Sequence, residues 1–319
     1  MASFPQKVTR LVFDITGRIS PDFAGRLAFR LFTFTPSRNA GTQKAQDALQ
    51  NARQRMTGAD SVRLVLRNGS ITAFRFVGST RVNSAETVLV VHGWGSRTEH
   101  MIALIEALVE SGRNVVAIDL PGHGRSSGRT LNMANAVEAL DAAWREFGPF
   151  NTVVGHSFGG AVALNSAGGT ISGIPARIPR RLVLISAPND IPRVFDMFSH
   201  WIGLSEASKQ VLFRVIHEIA GRPVEHFAGT GILAGIAIPT LVLHAPDDKE
   251  VPSQSAEDFG LAGPHVRVEW APGLGHRRIL NDTGIHDRIR HFISAPTARR
   301  KNRPVIDLSS VLCEKANAV

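Results

Sequence analysis

From residue 87 onward, short apolar runs alternate with longer segments whose apolar residues recur at helical spacing. The runs fall at 88–91, 115–118, 152–154, 182–185, 241–243 and 266–268. Continuous apolar runs of that length suit parallel strands covered on both faces. Helical patterns near 97–111, 131–147, 158–168, 253–260 and 281–293 lie between and after them. Two alternating segments come earlier, at 62–66 and 71–77, with Asn68-Gly69 between them as a hairpin turn signal. The pattern predicts a mostly parallel, doubly wound α/β sheet with an antiparallel hairpin at its start. Chemistry in such folds gathers at the carboxyl ends of the strands.

Two regions depart from the alternation. Residues 189–236 are helical in pattern, at 191–202 and 205–220, and are predicted to form a small lid over the catalytic edge of the sheet. Residues 1–60 read as a helical extension, amphipathic in places, with a basic, phenylalanine-rich stretch at 26–34 and a second helix at 43–56. The tail at 296–319 reads as a flexible basic end.

The net charge of +9 sharpens this division. Residues 1–60 carry nine Lys/Arg against four Asp/Glu, and residues 296–319 carry five against two. The intervening 61–295 carry 22 against 21. The basic character therefore sits in the arms, which makes nucleic acid a weak choice of partner. The single cysteine, Cys313, precludes an intrachain disulfide. No apolar run reaches the length of a membrane span and no signal-peptide pattern opens the chain, so a cytoplasmic location is the expectation.

The chemistry is concentrated in Gly155-His156-Ser157-Phe158-Gly159. It lies between an apolar run and a small-residue helical run, the strand, turn and helix of a nucleophile elbow. Such a turn strains its central residue and leaves no room for side chains two positions away, which Gly155 and Gly159 satisfy. A nucleophilic serine needs a base, an anion to orient that base, and donors for the oxyanion. Later strands end in Asp247-Asp248 and then in Gly275-His276, which gives the chain order Ser, Asp, His. The oxyanion donors expected are the Phe158 N–H and the Trp94 N–H, the latter in His92-Gly93-Trp94-Gly95.

Together with Asp119-Leu120-Pro121-Gly122-His123-Gly124, these motifs make residues 61–295 resemble the α/β-hydrolase family. The resemblance implies that family's sheet and lid, and a triad of Ser157, Asp248 and His276. Asp247 and Asp190 are the alternatives for the acid. His92, His123 and His156 are expected to hold loops by hydrogen bonds, and Asp119 and Arg125 to fix the Pro-Gly-His-Gly turn. No metal site is expected, because no H-x-x-x-H or clustered Cys/His spacing accompanies these residues, and the chemistry calls for no cofactor.

The function expected is hydrolysis of a carboxylic ester through an acyl-enzyme, with a small, hydrophobic acyl substrate suggested by the apolar lid. The same triad serves C–C bond hydrolases, aminopeptidases and acyltransferases, and the scaffold also suits a non-catalytic ligand-binding module. A dehalogenase or epoxide hydrolase of this fold would carry Asp at position 157. Residues 26–34 have two readings, a helix packed on the body, which is favoured, or a peripheral membrane contact.

Overall fold

In the computed structural model, which describes residues 4–39, 41–78 and 86–296, the apolar runs assemble into one eight-stranded sheet. Its strands are β1 (Asp60–Leu66), β2 (Gly69–Phe76), β3 (Thr87–Val91), β4 (Asn114–Asp119), β5 (Thr152–His156), β6 (Arg181–Ile185), β7 (Thr240–His244) and β8 (Val266–Trp270). The order across the sheet is β1-β2-β4-β3-β5-β6-β7-β8. The β1–β2 and β2–β4 pairs are antiparallel and the others parallel. The hairpin is therefore joined to the parallel body through β4.

The helices are α1 (Phe4–Ile19), α2 (Pro21–Thr33), α3 (Gln43–Arg55), α4 (Ile102–Glu110), α5 (Met133–Phe147) and α6 (Phe158–Gly168). They continue with α7 (Ile191–Ile202), α8 (Glu206–Ala220), α9 (Gly229–Ile236), α10 (Gln254–Gly260), the single turn α11 (Gly275–Arg278) and α12 (Thr283–Ser294). Strand periodicity divides the core between two faces. Leu89 and Val91 join α5 and α6 on one side, while Val88 and Val90 join α4 and α12 on the other. That two-sided burial explains the uninterrupted apolar runs.

Helix starts follow local chemistry. Asn132 and Asn135 form a reciprocal cap on α5, Asp282 caps α12, and Ser205 caps α8. The segment expected as one helix at 97–111 is a 3-10 turn (Thr98–Met101) running into α4. The segment 189–236 divides between two surroundings. Helices α7 and α8 form the cover, whereas α9 lies against α6, so close that a methyl at Gly168 would stand 2.5 Å from Ile232. Helix α9 thus belongs to the layer over the sheet.

The N-terminal helices complete the cover. Helix α2 lies on α8 through Gly25, while Ala24 and Ala28 pack with Phe13 of α1 and Ile202 of α7, leaving Arg26 and Arg30 exposed. A side chain at Gly25 would fall 2.5 Å from the Ser208 carbonyl and 2.6 Å from Val211 Cβ, so glycine permits this approach. Stretch 26–34 is accordingly a helix packed on the body. It is pinned by Thr35 N–H to the Arg129 carbonyl (3.0 Å) and by Leu131 N–H to the Thr33 carbonyl (2.8 Å). Cys313 and the basic tail beyond residue 296 lie outside the described residues.

Candidate active site

Ser157 stands between β5 and α6 with φ 53° and ψ −126°. A non-glycine residue in that region stores about 1–3 kcal/mol of strain, so its surroundings must hold it there. Its N–H donates to the Ile185 carbonyl at 2.8 Å, extending the ladder to β6. Packing leaves the neighbours no side chain. A methyl at Gly155 would lie 2.5 Å from the Gly159 carbonyl, and one at Gly159 would lie 2.3 Å from the Val91 carbonyl. The elbow is thus wedged against β3 and α6.

Asp248 and His276 meet across two loops. His276 Nδ1 donates to Asp248 Oδ2 at 2.8 Å, and Asp248 Oδ1 accepts the N–H groups of Glu250 (2.8 Å) and Val251 (2.9 Å). Burial opposes ionisation of Asp248, but these hydrogen bonds outweigh it and hold the carboxyl down at about 2. Asp247 does different work, accepting Gly273 N–H at 2.8 Å and so tying the acid loop to the turn that carries His276. Asp190 caps α7 through Arg193 N–H at 2.9 Å. Among the alternative acids, Asp248 is the one the structure brings to His276.

His156 links this pair to the elbow. Its Nε2–H donates to the His276 carbonyl at 2.8 Å, and the two rings lie 4.8 Å apart. Burial, and then the neighbouring His276, push the His156 imidazole down to about 4 against the opposing pull of that bond, so the ring stays neutral. The residue preceding Ser157 therefore fixes the main chain of His276. Sequence reasoning assigned His156 a loop-holding part without naming its partner.

The loop His92-Gly93-Trp94-Gly95 abuts Ser157, since a methyl at Gly93 would fall 2.8 Å from Ser157 Cβ. His92 Nε2 accepts the Leu120 N–H at 2.9 Å, which leaves Nδ1–H to donate to the Gly93 carbonyl at 2.7 Å. That carbonyl shares a planar trans peptide with the Trp94 N–H, so anchoring one end turns the other to the opposite side. Burial, then His123, hold the His92 imidazole well below its usual range and preserve the neutral form. His123 repeats the device, accepting Gly95 N–H at 2.9 Å while Nδ1–H donates to the Pro121 carbonyl at 3.0 Å. Asp119 accepts the N–H groups of Thr98 and Arg125, each at 2.8 Å, and fixes the turn between them. Neither the Trp94 nor the Phe158 N–H meets an acceptor among the described residues.

Ser157, Trp94 and Phe158 open into one cavity of about 670 Å³. Its walls are aromatic and aliphatic, from Phe29 and Phe32 of α2, Phe195 and Phe198 of α7, and Ile216 of α8. The Phe32 ring lies 4.5 Å from Phe195 and 6.3 Å from Trp94, so the N-terminal extension is part of the pocket wall. Sequence reasoning did not foresee that part, nor Glu250. The Glu250 carboxylate lies 3.8 Å from His276 Nε2 and is held by Arg277 at 2.9 Å. The only available signal was its place in the Asp248-x-Glu250-Val251-Pro252 turn. No group of three or more His, Cys, Asp or Glu side chains among the described residues is arranged to hold a metal ion.

This sheet order, elbow and pair of loops define a hydrolase scaffold, and the comparison of families agrees. The model of the alpha/beta hydrolase family matches residues 88–287, more than half of the chain, and the chain belongs to that family. A non-heme haloperoxidase from Rhodococcus erythropolis is 28% identical over 236 residues, covering 60% of this chain and 86% of that protein. A lysophosphatidylserine lipase from Danio rerio is 26% identical over 243 residues, covering 67% and 59% respectively. Among solved structures, the carboxylesterase CesB from Bacillus subtilis superposes with TM-score 0.57 at 16% identity, over 79% of this chain and 98% of that one. Est1E from Butyrivibrio proteoclasticus gives 0.57 at 17%, over 73% and 97%. These two likenesses establish the fold.

Proposed function

We propose that the protein is a serine hydrolase that cleaves carboxylic esters of apolar acids through an acyl-enzyme. The observation that carries this reading is the 2.8 Å Asp248–His276 pair, tied through His156 to a strained Ser157. Ser157 Oγ attacks the ester carbonyl carbon while His276 Nε2 takes its proton. The tetrahedral oxyanion accepts the Trp94 and Phe158 N–H groups. The carbon–oxygen bond to the alcohol breaks as His276 returns the proton to the leaving oxygen. Water, deprotonated by His276, then attacks the acyl carbon, and the acid departs as Ser157 recovers its proton. Asp248 remains ionised throughout because its carboxyl is held at about 2.

The cavity's apolar walls favour a hydrocarbon acyl chain over a peptide. The carboxylesterase and lipase among the proteins it resembles are in keeping with this choice. The test is labelling by a fluorophosphonate, together with turnover of p-nitrophenyl esters from acetate to laurate. Labelling of the native protein and its loss in Ser157→Ala are expected, with turnover reduced by at least about 10⁴-fold in that variant. Equal labelling of Ser157→Ala, or no turnover of any ester by folded protein, would refute the reading.

A further inference from the structure

Helix α1 carries its apolar stripe on the wrong side for a helix of a soluble protein. Val8, Leu11, Val12, Ile15 and Ile19 recur at i, i+3, i+4, i+7 and i+11, and each is 42–80% exposed. Such a stripe ordinarily faces the core. Here the helix is anchored by the opposite face, where Phe13 packs with Ala24 and Ala28 of α2 and Ile202 of α7. Just beyond, Phe23 is 58% exposed. Contiguous apolar surface of this kind marks an interaction site.

We propose that this face of α1 docks the protein on an anionic phospholipid surface, with the cavity mouth beside it. The charge pattern selects this partner. Residues 4–33 hold five basic side chains (Lys7, Arg10, Arg18, Arg26, Arg30) and two acidic ones (Asp14, Asp22), a net +3. Both acids are engaged within their own helix, by Arg18 and Arg26, each at 3.0 Å. Lys7 and Arg30 are exposed and have no carboxylate partner among the described residues, whereas Arg10 turns towards Gly203 at the end of α7. An exposed apolar stripe on a helix pair of net positive charge is the composition of helices lying in an anionic bilayer interface. A symmetric pairing of two copies would instead bring two helix pairs of net positive charge together. No helix among the described residues is long and apolar enough to cross a membrane, so the contact is one of lying on the surface.

The stripe also borders the route to Ser157. Thr9 of α1 lines the cavity, and Leu31, Phe34, Met197 and Trp201 both line it and stand 44–60% exposed. An ester resident in the bilayer would thus meet the mouth without crossing water. That second clause rests on the ester-hydrolase reading; the docking itself does not.

The experiment is flotation of the full-length Ser157→Ala protein with phosphatidylcholine vesicles, with and without about one third phosphatidylglycerol. Using this variant separates binding from catalysis. Binding is expected to the anionic vesicles, to weaken in high salt, and to fall at least about tenfold when Leu11→Glu and Ile15→Glu are added. In the Ser157 background the same pair of changes is expected to leave turnover of a soluble short-chain ester and the melting temperature unchanged, since neither side chain touches core or cavity. Failure to float with anionic vesicles would overturn the proposal, as would equal binding by the doubly substituted protein. A concentration-dependent dimer that the two substitutions dissolve, without vesicle binding, would also overturn it and assign the stripe to a second copy.

Discussion

Gly93→Ala tests the proposed oxyanion role of the loop His92-Gly93-Trp94-Gly95 by pushing it away from Ser157 and His156. The new methyl would lie 2.8 Å from Ser157 Cβ, 3.1 Å from the His156 carbonyl and 3.3 Å from His156 Nδ1. Carbon atoms rest at about 3.5–4.0 Å, so about 1 Å of retreat is needed. Ser157 has little freedom to supply it, held by the Ile185 carbonyl and by the close contacts of Gly155 and Gly159. The loop must therefore back away, and the Trp94 N–H goes with it. A displacement of about 1 Å, or the loss of one oxyanion donor, costs on the order of 10²–10³-fold in rate. Gly93 is not among the residues with positive φ, so the backbone tolerates alanine and only the contact is perturbed. Overpacking adds about 1–3 kcal/mol of destabilisation. Steady-state turnover of a p-nitrophenyl ester should show kcat reduced by about 10²-fold or more with KM little changed, because the acyl walls are untouched. The melting temperature, measured alongside, tells misfolding from misplacement. A folded Gly93→Ala protein with kcat within about threefold of the native value would refute the placement of the oxyanion hole.

Two further predictions address the acid and the buried histidines. Asp248→Asn should lower kcat by about 10⁴-fold, because an amide no longer selects the imidazole tautomer that the base needs. Asp247→Asn, whose oxygen still accepts Gly273 N–H, should retain activity within about tenfold; the reverse ranking in kinetic assays would transfer the acid's role. Stability should fall as pH drops from about 6.5 towards 4, since the unfolded His156 takes a proton near the ordinary value whereas the folded one waits until about 4. In that window the unfolded chain binds more protons, so the loss accumulates to about 3 kcal/mol for His156, and His92, His123 and His244 act in the same direction. Asp248 adds a lower step, its contribution being intact above about 4 and lost towards 2. Urea unfolding across this range reads the slope, which His156→Gln should flatten. An unchanged midpoint between pH 6.5 and 4.5 would contradict the assignment of these imidazoles as neutral.

The sheet was legible because its information is local. A strand buried on both faces writes itself as an unbroken apolar run, and the runs at 88–91, 152–154 and 182–185 became β3, β5 and β6. The elbow was legible for a related reason. Its geometry forbids side chains at 155 and 159, and the contacts under 2.6 Å that their methyls would meet show that constraint directly. The acid was less legible, because Asp247 and Asp248 are adjacent carboxylates on one loop. What separates them is the turn in which Asp248 receives the N–H groups of Glu250 and Val251, leaving its second oxygen to His276, while Asp247 reaches Gly273. That distinction lies in where two loops cross, and no window of sequence contains both.

The N-terminal extension shows a deeper limit. Periodicity tells that a helix has an apolar side but not which way that side points. In α2 the small residues Ala24, Gly25 and Ala28 mark the packed face, and Gly25 leaves no room for any other residue against Ser208 and Val211. In α1 the apolar stripe is the wider signal, yet the packed face is the one with Phe13 and its small and polar neighbours Thr16 and Gly17. A reading by hydrophobicity alone would turn α1 over and bury the stripe. Phe13 decides the orientation, because it is the α1 side chain that packs into the cluster of Ala24, Ala28 and Ile202. The direction of the stripe is thus a consequence of contacts reaching from residue 13 to residue 202, and the cavity wall that α2 and α7 share is built by the same packing.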